Sequence, residues 1–318
     1  MLPIENELRN FVLCIFAAKK LRREVRIGTR GSKLALWQAN YLQAELAKIG
    51  LTSSIHIIKT KGDTIQDLSF DKIEGKGFFT KEIEEALLGE EVDLAVHSMK
   101  DLPTTSPEGL VITAVSYRED PTDWLIIRKE VSVKDKLLQL PPGAVVGTSS
   151  ARRKAQLLHF RADLTLKDIR GNVPTRIDKL RQGQFDAIVL AGAGITRLEL
   201  DLSEFEVIKF DPKEFIPAPA QGVLAFQVRE NDKELRRQLR SLHHQEVADC
   251  TNVERRVLQL LDGGCHLPLG AYCTKDHAGN YHLWAAYAES ATASLKQISL
   301  SSSTRFELAE QAIAVLKS

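Results

Sequence analysis

The chain has 318 residues, enough for two or three domains of about 150 residues each. Its 43% hydrophobic and 27% charged residues are the profile of a soluble globular protein with real cores. A net charge of +1 excludes a globally basic binder of nucleic acid or membrane, though not a local basic cleft. Cys14, Cys250, Cys265 and Cys273 are too few for a disulfide framework and suit a reducing cytosol.

Residues 11–18, FVLCIFAA, are an apolar run followed by KKLRR. A secretory signal carries its positive charge before the apolar core, whereas Glu5, Glu7 and Arg9 precede this one. The run is also far short of the ~20 residues of a membrane span. Residues 1–24 are therefore expected to be an N-terminal extension of a soluble protein. VRIGT (25–29) then reads as a strand, and SKLALWQANYLQAELAKIG as a helix capped by Ser32. SSIHIIKTKG is strand-like, KEIEEALLGEE helical, and VDLAVHS a short buried strand. Beyond a connector at YREDPTD the alternation resumes with PGAVVGTSS as strand and turn, ARRKAQLLHF as helix and QFDAIVLAGAG as apolar strand. Such alternation predicts parallel sheets covered by helices, in at least two units. From residue 241 a long helix through RRVLQLLDGG, strands around YHLWAAYAES and a closing helix RFELAEQAIAVLK predict a smaller α+β domain.

Polar clusters sit at the turns. IGTRGSKLALWQA places Arg30 and Ser32 where a strand meets a helix, and helix N-termini with an arginine bind carboxylate or phosphate well. GTSSARRKAQ repeats the arrangement with Thr148, Ser150, Arg152 and Arg153; DIRGNVPTRIDKL adds Arg170, Asn172 and Arg176. One such turn is commonly a plain helix cap. Three at the C-terminal ends of strands point to a multiply anionic ligand, and none matches a nucleotide P-loop. LAVHSMKDLPT runs a buried strand into His97, Ser98, Lys100 and Asp101, a lysine and carboxylate placed to manage positive charge or move protons. EGKGFFTKE, with Lys72 just before it, Lys76, Phe78 and Phe79, has the glycine-loosened basic character of a lid. In LLDGGCHLPLG, Cys265 sits on a turn framed by glycines and a proline. That turn alone leaves nucleophile, metal ligand, redox thiol and attachment point open, although the absence of a CxxC pair argues against a metal site.

TRGSKLALWQA, GKGFFTKE, AVHSMKDLPT, REDPTD, VGTSSARRKAQL, IRGNVPTR, FDAIVLAGAG and DGGCHLPLG, in this order from about residue 25 onward, together resemble the hydroxymethylbilane synthase family, also called porphobilinogen deaminases. The resemblance implies an α/β fold of two periplasmic-binding-protein-like parallel or mixed-sheet domains plus a smaller α+β C-terminal domain. The implied bounds are 25–117 with 223–240, 118–222, and 241–318. It implies a transferase that deaminates porphobilinogen, condenses four molecules head to tail on a dipyrromethane cofactor, and hydrolyses off the linear tetrapyrrole hydroxymethylbilane. Cys265 would anchor that cofactor by a thioether, since thiols are good soft nucleophiles.

By the same matching, Asp101 would be catalytic, and Lys100, Ser98, Thr148, Ser150, Arg152 and Arg153 would hold the cofactor. Arg30, Ser32, Arg170, Asn172, Arg176 and Gln221 would hold substrate, and Lys72, Lys76 and Phe79 would belong to a mobile loop. The implied protein is a cytoplasmic monomer with no metal, nucleic-acid or membrane partner. One departure stands out: PAPAQGVLAFQVRE has Ala220 where the family commonly has glycine. Two rival readings fit less well. A solute-binding module would share the two lobes and the anion-binding turns but is expected to carry an export signal. A cysteine hydrolase using Cys265 with His97 or His266 explains neither the arginines nor Asp101.

Overall fold

A computed structural model describes residues 24–60, 80–261 and 267–317. Cys14, Cys265, His266, Lys72, Lys76, Phe78 and Phe79 lie outside the described residues, as does nearly all of the N-terminal extension. The chain opens with β1 (Val25–Thr29), α1 (Lys33–Lys48), β2 (Ser53–Ile57), α2 (Lys81–Leu88), β3 (Leu94–Ser98) and β4 (Leu110–Val115). Ser32 caps α1 as expected, its Oγ accepting from the Ala35 amide at 3.2 Å. Ala39, Leu42 and Leu46 recur at helical spacing and are wholly buried, so α1 lays one stripe on the sheet.

A connector at residues 116–122 leads to β5 (Asp123–Arg128), β6 (Val145–Gly147), α3 (Ala151–Phe160), β7 (Thr165–Lys167), α4 (Val173–Arg181), β8 (Ala187–Ala191), α5 (Gly192–Arg197) and β9 (Phe205–Lys209). These strands form a five-stranded sheet in the order β7-β6-β8-β5-β9. The chain then returns through residues 210–223 to β10 (Leu224–Arg229), completing the first sheet as β2-β1-β3-β10-β4. β10 is buried at every position, so its polar side chains carry internal partners: Gln227 bonds His97 and Glu84, and Arg229 bonds Asp93. After α6 (Lys233–Leu239) and α7 (Gln245–Leu260), β11 (Leu269–Lys275), β12 (Tyr281–Tyr287) and β13 (Lys296–Ser302) make a three-stranded antiparallel sheet, closed by α8 (Leu308–Lys317).

The architecture is thus α/β with two mixed sheets and a smaller third one, the mixed form among those the family resemblance implies. β1, β2 and β3 are parallel, as are β6, β7 and β8, but β10 and β5 run against them. The cause is the double crossing. Each connector leaves one sheet at the C-terminal ends of its parallel strands and enters the other at the same end, so the next strand must run away from it. Register shows this, with Leu224 opposite Ser98 and Asp123 opposite Ala191. Both antiparallel strands therefore begin where the parallel strands finish.

Candidate active site

That shared end is where the polar turns gather. β3 is buried up to His97, and the next turn, Met99–Asp101, is a single 3-10 turn. Met99 packs inward against Leu102, Val115 and Val223, which leaves Lys100 partly exposed and Asp101 exposed. Asp101 lines a recess of about 110 Å3 together with Thr29, Arg30, Ser32, Gln38 and Ser98. Gln38 Nε2 donates to Ser98 Oγ at 2.9 Å, fixing that hydroxyl at the rim.

From Lys100 a continuous network crosses to the second sheet. Lys100 Nζ donates to Gln221 Oε1 at 3.2 Å; Gln221 Nε2 donates to Asp123 Oδ1 at 3.0 Å and to the Pro121 carbonyl at 2.7 Å. Asp123 in turn accepts from Arg152 Nη1 and Arg153 Nη2, each at 2.7 Å, while Ile216 O and Val189 O take further guanidinium hydrogens. Asp123 is fully buried, and Arg152 and Arg153 are 5% and 7% exposed. Burial alone would raise the Asp123 pKa, but the two arginines outweigh it and hold the carboxyl well below its usual range. Burial pushes Lys100 down to about 8, against the pull of Asp101. Three cations around one buried carboxylate leave a surplus of positive charge.

The third turn faces the same space. Asn172 caps α4, its Oδ1 accepting from the Thr175 amide at 3.0 Å, and Arg176 Nε donates to Gly171 O at 2.7 Å. Burial lowers Arg176 to about 10; Arg153 and Arg170 push the same way and Asp101 opposes them. Arg176, Arg153, Arg170 and Asp101 thus share one electrostatic neighbourhood although they come from both sheets. Ser150 caps α3 through the Arg153 amide at 3.4 Å, and buried Thr148 accepts from the Ser150 amide at 3.3 Å. Three helix N-termini, those of α1, α3 and α4, are thus each capped by a side chain just past the C-terminal end of a parallel strand. His97 is buried, bonded to Gln227 at 3.1 Å and pushed by burial down to about 4, so it is neutral.

Sequence reading overlooked three groups. Asp123 lay in the connector motif REDPTD, with nothing local to reveal partners in ARRKAQ. Glu254 on α7 is a second buried carboxylate. It accepts from Arg118 Nη1 at 2.6 Å, the Ala220 amide at 2.6 Å and the Cys273 amide at 2.8 Å. Its neighbour Arg255 reaches the Met99 carbonyl at 3.0 Å. The Ala220 departure also has a local explanation. Its φ of 62° is left-handed, where glycine fits without strain, and at Gly222 (φ 91°) a Cβ would stand 2.3 Å from Glu119 O.

A cleft at the C-terminal ends of two mixed sheets, rich in cations that share one buried carboxylate, defines an α/β protein built to receive negative charge. Residues 25–237 match the family described as porphobilinogen deaminase, dipyromethane cofactor binding domain. A porphobilinogen deaminase of Chloroherpeton thalassium is 46% identical over 92% of both chains, and one of Maridesulfovibrio salexigens is 49% identical over 79% of this chain and 80% of its own. Among solved structures, the probable amino-acid transporter extracellular-binding protein ytmK of Bacillus subtilis aligns over 75% of this chain and 97% of its own, at 12% identity and a TM-score of 0.43, too loose a likeness to argue from. The chain belongs to the porphobilinogen deaminase family, and so is a transferase.

Proposed function

We propose that this protein deaminates porphobilinogen, joins four molecules head to tail on a dipyrromethane held through Cys265, and releases hydroxymethylbilane by hydrolysis. The observation that carries the reading is the positive surplus along Lys100, Gln221, Asp123, Arg152 and Arg153, which ends beside Asp101. A dipyrromethane bears acetate and propionate arms. Lys100, Arg152 and Arg153, with Ser98, Thr148, Ser150 and the α3 N-terminus, are the donors that suit those carboxylates. When bound, the dipyrromethane supplies the free pyrrole carbon from which the product is extended.

The chain's own residues then divide the work. The Asp101 carboxylate accepts from pyrrole N–H and offsets the positive charge that loss of ammonia leaves on the substrate. Arg30, Ser32, Arg170, Asn172 and Arg176 receive the carboxylates of the incoming porphobilinogen. Gln221, expected among the substrate-holding residues, is instead wholly buried with its amide engaged at both ends, which suits it to holding the Lys100 ammonium in place. Cys265, Lys72, Lys76 and Phe79 keep the roles the family resemblance gives them. The same reading takes segments 25–117 with 223–240, 118–222 and 241–318 as domains of a monomer. Two buried free thiols, Cys250 and Cys273, suit the reducing cytoplasm. Among the described residues no helix is long and apolar enough to cross a membrane.

The test joins mass to turnover. The intact wild type should exceed its sequence mass by a dipyrromethane, Cys265→Ala should not, and Asp101→Asn should carry the added mass yet lose at least about 100-fold in turnover. Exposed ion pairs contribute only about 0–1 kcal/mol, so a surface role for Asp101 would leave activity within a few-fold of wild type and overturn the assignment.

A further inference from the structure

The turn that carries Lys100 and Asp101 is thinly supported by its own backbone. Within it, Leu102 N reaches Met99 O at a long 3.3 Å, and Met99 N is tied back to Val223 O at 2.9 Å. A three-residue 3-10 turn with one poor internal bond does not hold a carboxylate to a fraction of an ångström. Met99 and Leu102 are seated in the cluster with Val115 and Val223, but beside that cluster lies a cavity of about 340 Å3, lined by Met99, Ala248, Asn252 and Arg255 among others, so the packing around the turn is incomplete.

Arg255 supplies what is missing. It projects from α7, far away in sequence, and is buried. Its Nη1 donates to Met99 O and to Leu102 O, each at 3.0 Å, and its Nη2 donates to Pro103 O. One planar fork thus takes the carbonyls on both sides of Asp101, the rigid multi-point geometry that a guanidinium offers and an ammonium does not. Its neighbour Glu254 is itself fixed by Arg118 and two backbone amides, so the arm that delivers Arg255 is anchored.

We propose that Arg255 is a positioning residue for the reaction: by clamping the carbonyls of residues 99, 102 and 103 it sets where the Asp101 carboxylate stands. Its part in the reaction runs through the turn rather than through contact with substrate. The inference rests on the reading of Asp101 as the carboxylate at the reacting centre. Displacements of about 1 Å there cost on the order of 100-fold, while the arginines that bind substrate are left in place.

Arg255→Lys keeps the charge but cannot span three carbonyls. The expected result is a folded protein with full cofactor mass, a KM for porphobilinogen within about 3-fold of wild type and a kcat lowered roughly 10- to 100-fold. Arg255→Ala opens onto the adjoining cavity, so guanidinium ion at concentrations too low to denature should restore part of its kcat; should this variant not fold, the lysine variant carries the test. In an Asp101→Glu background, Arg255→Lys should cost far less than it does alone, since both changes displace one carboxylate. An unchanged kcat, a loss confined to KM, a loss matching reduced cofactor loading, or additive losses in the double variant would each overturn the role. A fully active Arg255→Lys beside an inactive Asp101→Asn would sink the positioning role alone; a fully active Asp101→Asn would sink the underlying reading.

Discussion

Two pairs of arginines face the same cleft and are held in opposite ways. Arg152 and Arg153 are buried, bonded to the Asp123 carboxylate and to the Ile216 and Val189 carbonyls. Arg170, just before α4, and Arg176, in its first turn, are half-buried, and Arg176 is steadied by the Gly171 carbonyl. The first pair has surrendered its rotamer freedom to the fold, so a ligand meeting it does not have to order it again. Arg176, at the half-exposed start of α4, keeps more of that freedom. In the proposed reading this separates a permanent resident from a passing substrate: preorganised charge suits a cofactor bound once, and adaptable charge suits a monomer that arrives four times.

Removing the carboxylate that locks the first pair should have the largest effect. Asp123→Asn leaves two buried guanidinium groups without a counter-charge, and breaking a buried pair in this way costs about 3–5 kcal/mol. Urea denaturation of the cofactor-free protein should show that loss; a change below about 1 kcal/mol would mean the pair is not locked by Asp123. Arg176→Ala should behave differently. Stability should hold while KM for porphobilinogen rises roughly 10-fold, the loss of one charge-assisted bond of about 1.5–3 kcal/mol. A destabilised Arg176→Ala with unchanged KM would erase the distinction.

The smallest expected effect is a pH dependence at Lys100, which joins the locked network from the other sheet. Its folded pKa of about 8 lies below the ordinary 10.5, chiefly through burial. The unfolded chain therefore holds more protons between those values, and stability attributable to this group rises with pH across that window. Below about 8 both states carry the charge and its burial is a constant penalty. Replacing Lys100 by Met should thus raise the melting temperature most below that pH, with the gain fading toward 10.5. A gain that grows with rising pH would reverse the sign and refute the burial argument.

Much of this was legible in the sequence, but unevenly. ARRKAQLLHF is the α3 helix from end to end, and Ser32 caps α1, because capping and helical periodicity are local signals. The directions of β5 and β10 were not legible. Apolar runs such as WLII and LAF say that a strand is buried, while its direction depends on where the connector enters. The clustering of Arg30, Arg152, Arg170 and Asp101 could be anticipated from four strand-end turns. The partner that locks Arg152 and Arg153 could not be, since it lies about 30 residues away at the first position of β5. For Cys265, the residues alone left four chemistries open, and only the family resemblance chose among them.

Glu254 ties together what the sequence scatters. Its carboxylate takes Arg118 from one connector, Ala220 from the other and Cys273 from the three-stranded sheet, partners 136, 34 and 19 residues distant. In a chain with only one connector in place, this charge is better served by water than by any single partner. It can give up its hydration only when both connectors and β11 have arrived together. A single side chain therefore makes completion of the first two sheets conditional on the third, and the fold closes as a whole or leaves an anion stranded at its centre.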